Sequence, residues 1–385
     1  MQNISVCLIG KNEANVLEKC LQALVPYPWE IVFTDTGSTD ETKAIATRYT
    51  KNVYDFEWIG DFSAARNFCA EKASNDWILV IDCDEILDAF DYEAFSNMLD
   101  NHAPHTGTIV QRNVCSDPNS DYEHYYPADV FRIYNKKYYS FIYRIHEQLA
   151  PINPAMTSAT FKSNLQVLHS GYALTPEENR AKQERNIALL EKLLDEGVDD
   201  ATRPYFLFQL GLSYTNINRQ KALDTFLQAF KYKMDPAVQY YKWLVVRTGE
   251  TYQKLDRISE GYQFLHSHKK ELEDFADFYY TLGFFEYSSG NIDEAIICYQ
   301  KALDAPTYTN ELAHHDGSHY NLGLLYLACD DLANAATHLE QCLKFKDAKE
   351  RLGLAYYQYG KQLYDAGIFQ EAMPFIQKAS EYLEH

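Results

Sequence analysis

Ile78-Leu79-Val80-Ile81-Asp82-Cys83-Asp84-Glu85 decides the reading of this chain. Four apolar residues in a row read as a buried strand, and two carboxylates one residue apart follow it. Residues i and i+2 of a strand share a face. Asp82 and Asp84 are therefore expected to point together into the crevice at the strand ends of an open α/β sheet, where such folds bind ligands. Two hard oxygen donors suit Mg²⁺ or Mn²⁺ bridging a diphosphate. An acidic turn after a strand would look the same in isolation, so the surrounding pattern has to decide.

Working outward, the first 170 residues alternate between strand and helix periods. Ile4–Ile9 is apolar and β-prone, and Asn12–Leu24 has helical spacing. Glu30–Thr34 reads as a strand ending at Asp35. Ser38–Tyr49 reads as a helix with Ser38 as its N-cap. Ser63–Ala73 is helical, and Trp77–Ile81 is the strand before the paired carboxylates. This order predicts a parallel sheet with right-handed crossovers. Thr108–Val114, Val130–Tyr134, Phe141–Ile145 and Leu165–His169 read as a mixed extension of that sheet. Thr175–Glu196 reads as one helix, with Thr175 as N-cap and Pro176 in its first turn.

From about Pro204 the texture changes. Glycines recur at 211, 249, 283, 323 and 360, separated by 38, 34, 40 and 37 residues. The spacing within each unit agrees: Gly283 is followed by Ala295, Tyr299 and Ala302, Gly323 by Ala335, Leu339 and Cys342, and Gly360 by Ala372, Ile376 and Ala379. The first unit, with Ala222, Phe226 and Ala229, is one residue shorter, and the second has Gly261 at the expected alanine. A period near 34 residues with small residues between paired helices resembles the tetratricopeptide repeat.

The bulk properties narrow the function class. The chain has 385 residues, 55 acidic against 35 basic, and a formal charge of −20. That disfavours nucleic acid or an anionic membrane as a main partner, and it means that a diphosphate would need a local cation. No apolar run reaches membrane-spanning length and no signal peptide is evident, so neither membrane insertion nor secretion is expected and a cytoplasmic location is. Eight cysteines lie at 7, 20, 69, 83, 115, 298, 329 and 342 without a CxxC pair. They read as reduced, mostly buried thiols. Leu383-Glu384-His385 looks like the start of a tag linker.

Four segments together resemble family 2 glycosyltransferases of the GT-A fold: Ile9-Gly10-Lys11-Asn12-Glu13, Thr34-Asp35-Thr36-Gly37-Ser38-Thr39-Asp40, Phe62-Ser63-Ala64-Ala65-Arg66-Asn67 and Ile81-Asp82-Cys83-Asp84-Glu85. Thr36 departs from the family's more familiar aspartate. The resemblance implies a GT-A domain over residues 1–172, a connecting helix over 173–200 and a repeat domain over 201–385. It also implies site roles. Glu13 and Asp35 meet the nucleoside, Arg66 lies near the nucleotide or diphosphate, Asp82 contacts the ribose, and Asp84 ligates the metal. Phosphatases of the haloacid-dehalogenase type also place D-x-D after an apolar strand, but after the first strand of the domain, whereas here three βα units precede it.

Phe131-Arg132-Ile133-Tyr134, Tyr143-Arg144-Ile145-His146-Glu147 and Val167-Leu168-His169-Ser170-Gly171-Tyr172 resemble segments of family members that carry such repeats. By that resemblance His169 completes the metal shell. Glu147 is the first candidate for the base on the acceptor and His146 the second; pointing both at one site requires a turn there. Arg180, Lys182 and Arg185 are candidates to clamp the diphosphate. The expected activity is inverting, metal-dependent transfer from a nucleotide sugar, with a UDP-linked donor as the first expectation and Mn²⁺ or Mg²⁺ as the metal. The acceptor would be a Ser, Thr or Cys side chain of a peptide or protein held by the repeats, as in bacterial enzymes that glycosylate bacteriocin peptides or surface proteins. Homo-oligomerisation is an alternative use of the repeats. A glycan or lipid-linked acceptor, or a scaffold with a decayed transferase domain, are the competing functions.

Overall fold

The computed structural model describes residues 2–116, 123–169, 175–305 and 311–383. They form two compact units, one of the described residues up to 115 and from 123 to 196, and one of the described residues from 197 to 383.

The first unit is built on an eight-stranded mixed sheet. Its strands are β1 (Ile4–Gly10), β2 (Glu30–Asp35), β3 (Asn52–Asp55), β4 (Trp77–Val80), β5 (Glu85–Leu87), β6 (His105–Ser116), β7 (Glu123–Asn135) and β10 (Ala159–His169). Their order is β3-β2-β1-β4-β7-β6-β10-β5. The first four run parallel, β7 pairs antiparallel with β4, β10 runs parallel to β6, and β5 closes the edge antiparallel to β10.

The apolar run of β1 follows from burial on both faces. Val6 and Leu8 pack with α1 (Leu17–Leu24), α2 (Thr42–Tyr49) and α4 (Tyr92–Leu99) through Leu21, Ile45 and Phe95. Cys7 and, from β4, Val80 pack on the other face with Cys69 and Ala70 of α3 (Phe62–Lys72). Tyr139 and Phe141 join that second layer from a separate two-stranded hairpin, β8 (Tyr139–Ile142) and β9 (Gln148–Pro151).

Several expectations are corrected. Phe141–Ile145 is not an extension of the main sheet: its strand stops at Ile142, and a turn with Tyr143 at φ 69° and His146 at φ 50° follows. α2 starts at Thr42, not Ser38; the Ser38 amide bonds the Asp35 carboxylate instead, so it continues a turn rather than capping a helix. Likewise α1 starts at Leu17, because residues 13–16 form turns closed by the Glu13 carbonyl. The strand segments Asn52–Asp55 and Glu85–Leu87 are short edge pieces without an alternating pattern to announce them. By contrast Thr175 caps α5 (Pro176–Glu196) in a reciprocal box: its hydroxyl accepts from the Glu178 amide at 3.2 Å, and the Glu178 carboxylate accepts from the Thr175 amide at 2.9 Å.

The second unit is a run of helices in consecutive pairs: α6 (Arg203–Tyr214) with α7 (Arg219–Ala229), α8 (Gln239–Lys254) with α9 (Ile258–His268), α10 (Ala276–Ser288) with α11 (Ile292–Asp304), α12 (Glu311–Ala328) with α13 (Leu332–Glu340), and α14 (Ala348–Asp365) with α15 (Phe369–Leu383). The recurring glycines sit where the pairs touch. A Cβ on Gly211 would lie 2.3 Å from the Phe226 ring, one on Gly283 2.9 Å from Tyr299, and one on Gly323 2.6 Å from Leu339. The missing side chain thus admits the bulky residue of the second helix. Gly261, which breaks the pattern, faces Phe285 of the next pair at 2.3 Å.

Candidate active site

The site is assembled where β1, β2 and β4 end. Gly10 closes β1, and a Cβ there would meet the Cys83 sulfur at 2.8 Å, so the glycine lets the segment after β4 pass close by. That segment is a turn: β4 ends at Val80, and the Glu85 amide donates to the Asp82 carbonyl at 3.0 Å. Asp82 and Asp84 therefore do not share a strand face. They diverge, and the divergence gives them different chemistry.

Asp82 is held between two guanidinium groups. Its Oδ1 accepts from Arg66 Nη2 at 2.9 Å and its Oδ2 from Arg132 Nη2 at 2.5 Å. Burial pushes the Asp82 carboxyl upward, but Arg132 and Arg66 outweigh it and hold the pKa well below the ordinary carboxylate range. Arg66 comes from the first turns of α3, whose start is capped by Asp61 through the Ala64 amide at 2.9 Å. Burial opposes its charge, and Asp82 and Glu147 overcome that opposition and raise its pKa. Its Nε donates to Glu147 Oε1 at 2.5 Å, while its buried Nη1 has no hydrogen-bond partner among the described residues.

Asp84 turns the other way and meets the end of β10. Its Oδ2 lies 3.0 Å from His169 Nε2, and His169 Nδ1 lies 2.8 Å from Asn113 Oδ1. The Asn113 amide nitrogen faces the Gln111 carbonyl at 3.4 Å, which leaves its oxygen to accept the His169 Nδ1 proton. The neutral imidazole then aims its Nε2 lone pair at a carboxylate oxygen. Two lone pairs at 3.0 Å repel unless a proton or a cation lies between them; the hydrogen bond with Asp84 accordingly raises the His169 pKa. Such a donor pair fits a divalent cation. Among the described residues no three His, Cys, Asp or Glu side chains converge on one ion position, so substrate oxygens and water would complete the shell.

The 143–147 turn is tied to its surroundings. Asn67 imitates a strand neighbour, accepting from the Phe141 amide at 2.9 Å and donating to its carbonyl at 2.8 Å. Arg144 bonds the Gly60 carbonyl at 2.9 Å and Glu196 at 2.6 Å, and its own carbonyl accepts from the Phe62 amide at 2.8 Å. This is the non-strand turn that both candidate bases require. It brings Glu147 to Arg66 and leaves the buried His146 Nε2 without a hydrogen-bond partner among the described residues. Burial lowers the His146 pKa, with Glu147 opposing, so the ring is neutral at pH 7.

The remaining sequence candidates divide. The Asp35 carboxylate ends β2, is buried, and accepts from the Ser38 amide at 3.1 Å; Gly37 at φ 101° makes that turn possible. The Glu13 amide is anchored by the Thr42 hydroxyl at 2.7 Å. Arg185 lies over the Phe62 ring at 5.4 Å, and Glu13 acts on its charge. Arg180 instead pairs with Glu184 of its own helix at 2.8 Å, and Lys182 is exposed, so those two do not converge with the rest. Ser170, Gly171 and Tyr172 lie outside the described residues, as do Glu384 and His385. Cys7, Cys20, Cys69, Cys83, Cys298 and Cys342 are buried free thiols, and Cys329 is an exposed one. Arg132 and Glu85 enter the site as well; the sequence places each inside a motif segment, Phe131–Tyr134 and Ile81–Glu85, without pointing to a role for either.

Comparison with known proteins gives these features a family. The family model for glycosyl transferase family 2 matches residues 5–168, and the tetratricopeptide-repeat model matches 276–306 and 317–349. The first unit is a family 2 glycosyltransferase domain. A TPR repeat-containing protein of Synechococcus elongatus is 26% identical over 330 residues, covering 85% of this chain and 71% of that protein. The glycosyltransferase SunS of Bacillus subtilis is 30% identical over 233 residues, covering 57% of this chain and 51% of SunS. An uncharacterized glycosyltransferase of Rickettsia felis is 36% identical over 87 residues, 23% of this chain and 30% of that protein. The chain thus spans about half of SunS and less than a third of the rickettsial protein. No helix among the described residues is long and apolar enough to cross a membrane.

Proposed function

We propose that the protein is an inverting, metal-dependent glycosyltransferase that moves a sugar from a UDP-sugar to a Ser, Thr or Cys side chain of a peptide or protein. The observation that carries this reading is the approach of Asp84 to His169 at 3.0 Å at the strand ends of a family 2 domain. Counting Asp82, Asp84, Glu85 and Glu147 against Arg66 and Arg132, the corner formally has four carboxylates and two guanidiniums. A divalent cation offsets the excess and admits a diphosphate.

Asp84 and His169 would hold Mn²⁺ or Mg²⁺, which supplies charge neutralisation for the departing nucleoside diphosphate. The Nη1 of Arg66 supplies a buried donor to phosphate oxygen. Asp82 keeps both guanidiniums in place and retains lone pairs for a ribose hydroxyl. Asp35 and Glu13 face the nucleoside. Glu147 has one oxygen taken by Arg66 and a second without a hydrogen bond among the described residues. That second oxygen takes the proton of the acceptor hydroxyl or thiol as the acceptor atom bonds to the anomeric carbon and the bond to the diphosphate breaks. His146, neutral, orients the acceptor or the donor sugar.

The repeats support a macromolecular acceptor, since stacked helix pairs offer extended surface to peptides. Self-association through them is the second use, supported by Phe369 and Met373, more than half exposed on α15. The decisive experiment is UDP-sugar hydrolysis across a donor panel, with Asp84→Ala and EDTA as controls. Asp84→Ala should lower the rate on the order of 10²–10³-fold, as does loss of one preorganised electrostatic group. Full activity of Asp84→Ala would refute the proposal.

A further inference from the structure

Glu85 is fully buried, yet no step of the reaction uses it. A buried carboxylate is costly unless each of its oxygens is bonded, and here both are. Oε2 accepts from the Asp82 amide at 2.8 Å, while Oε1 accepts from Gln111 Nε2 at 2.6 Å and from Arg132 Nη2 at 3.2 Å. The Glu85 amide in turn donates to the Asp82 carbonyl at 3.0 Å. The 82–85 turn is therefore closed twice, once by backbone and once by the side chain in the reverse direction. Glu85 is also the residue that pairs with His169 across β5 and β10. One side chain thus bonds the turn that displays Asp84, the Arg132 that grips Asp82, and Gln111 of β6, while its backbone is in register with the histidine that Asp84 faces.

We propose that Glu85 is a positioning residue that sets the geometry between Asp84 and His169, and thereby the affinity of the site for a divalent cation. The inference rests on the metal-dependent reading above. Residues that orient ligands from behind typically change metal affinity or activity by about 10–100-fold when altered. Glu85→Gln keeps an oxygen for the Asp82 amide but turns an N–H₂ toward Arg132 and Gln111, two donors. It therefore breaks the brace while conserving volume. Gln111→Leu removes the 2.6 Å bond alone and leaves Glu85 in place.

The test is Mn²⁺ binding to the full chain in the presence of UDP, followed by the loss of the free Mn²⁺ electron-paramagnetic signal, with melting temperature recorded on the same samples. Wild type, Glu85→Gln, Gln111→Leu and Asp84→Asn are compared. The expected result is Mn²⁺ affinity weakened about 10–100-fold in Glu85→Gln, less in Gln111→Leu, and lost in Asp84→Asn. Metal-free UDP binding should fall by less than Mn²⁺ affinity does, because Asp82 keeps Arg66, a pattern that a general loss of structure would not produce. Glu85→Gln binding Mn²⁺ as wild type does, while Asp84→Asn abolishes binding, overturns the role of Glu85 and leaves the metal site standing. Wild-type binding by Asp84→Asn overturns the metal reading and this inference with it. If Glu85→Gln does not fold, Gln111→Leu decides: unchanged Mn²⁺ affinity there overturns the proposal.

Discussion

Replacing Arg66 by alanine tests the electrostatic frame of the site. Arg66 is 8% exposed and makes two ionic contacts, to Asp82 at 2.9 Å and to Glu147 at 2.5 Å. Its removal leaves Glu147, itself only 14% exposed, without its guanidinium, whereas Asp82 keeps Arg132. Breaking a buried pair from one side costs about 3–5 kcal/mol. The lower end applies, because one of the two carboxylates keeps a partner. For a unit of this size about 3 kcal/mol lowers the melting temperature by about 6–12 °C. Differential scanning fluorimetry on wild type, Arg66→Ala, Glu147→Gln and the double variant is the assay. Because Glu147→Gln removes the stranded charge, the double variant should melt above Arg66→Ala, with a coupling energy of about 1–3 kcal/mol. Asp82 adds a pH signature. Its folded pKa lies below the unfolded value, so its contribution is present at neutral pH and lost as pH falls below about 4. Arg66→Ala should lose part of that acid dependence. A melting temperature for Arg66→Ala within about 1 °C of wild type, or strictly additive variants, would refute the reasoning.

Other outcomes follow from separate parts of the molecule. Gly211→Ala puts a carbon 2.3 Å from the Phe226 ring and should destabilise the repeats by about 1–3 kcal/mol; pairing it with Phe226→Leu should recover part of the loss in thermal melts. Thr175→Ala removes the cap of α5 and should cost about 1 kcal/mol in urea unfolding. His319 lies 2.9 Å from His338 and its pKa is lowered to about 4, by burial first and then by His315 and His338. Its neutral form is therefore the folded one. Stability is complete above about pH 6.5 and falls as pH drops from there toward 4, so His319→Gln should flatten the melting profile over that window.

How much of this was legible depends on where the information lay along the chain. The repeats were readable because each is a local solution to one packing problem: a glycine on the first helix and a bulky residue about sixteen positions on, as with Gly283 and Tyr299. The parallel strands were readable because burial on both faces leaves a run of apolar residues, uninterrupted in β4 and broken only by Ser5 in β1 before Gly10 closes it. The paired carboxylates were readable as residues but not as geometry. Strand periodicity put them on one face, whereas the turn closed by Glu85 sends Asp82 to Arg66 and Arg132 and Asp84 to His169. These partners lie 16, 50 and 85 residues away, and no local period encodes such distances. Glu85 was read only as the last letter of a motif, because nothing in its neighbourhood announces that a glutamate beside two aspartates will be wholly buried. Its burial becomes intelligible only when Arg132 and Gln111 arrive from other strands. The same logic explains Arg66. Inside Phe62-Ser63-Ala64-Ala65-Arg66-Asn67 it is one charge among small residues, a pattern that lets α3 lie close to the sheet and leaves the guanidinium one direction in which to find carboxylates. Charge buried by small neighbours is thus the signal by which such an anchor can be sought in a sequence, and the carboxylates that meet it mark the floor of the site.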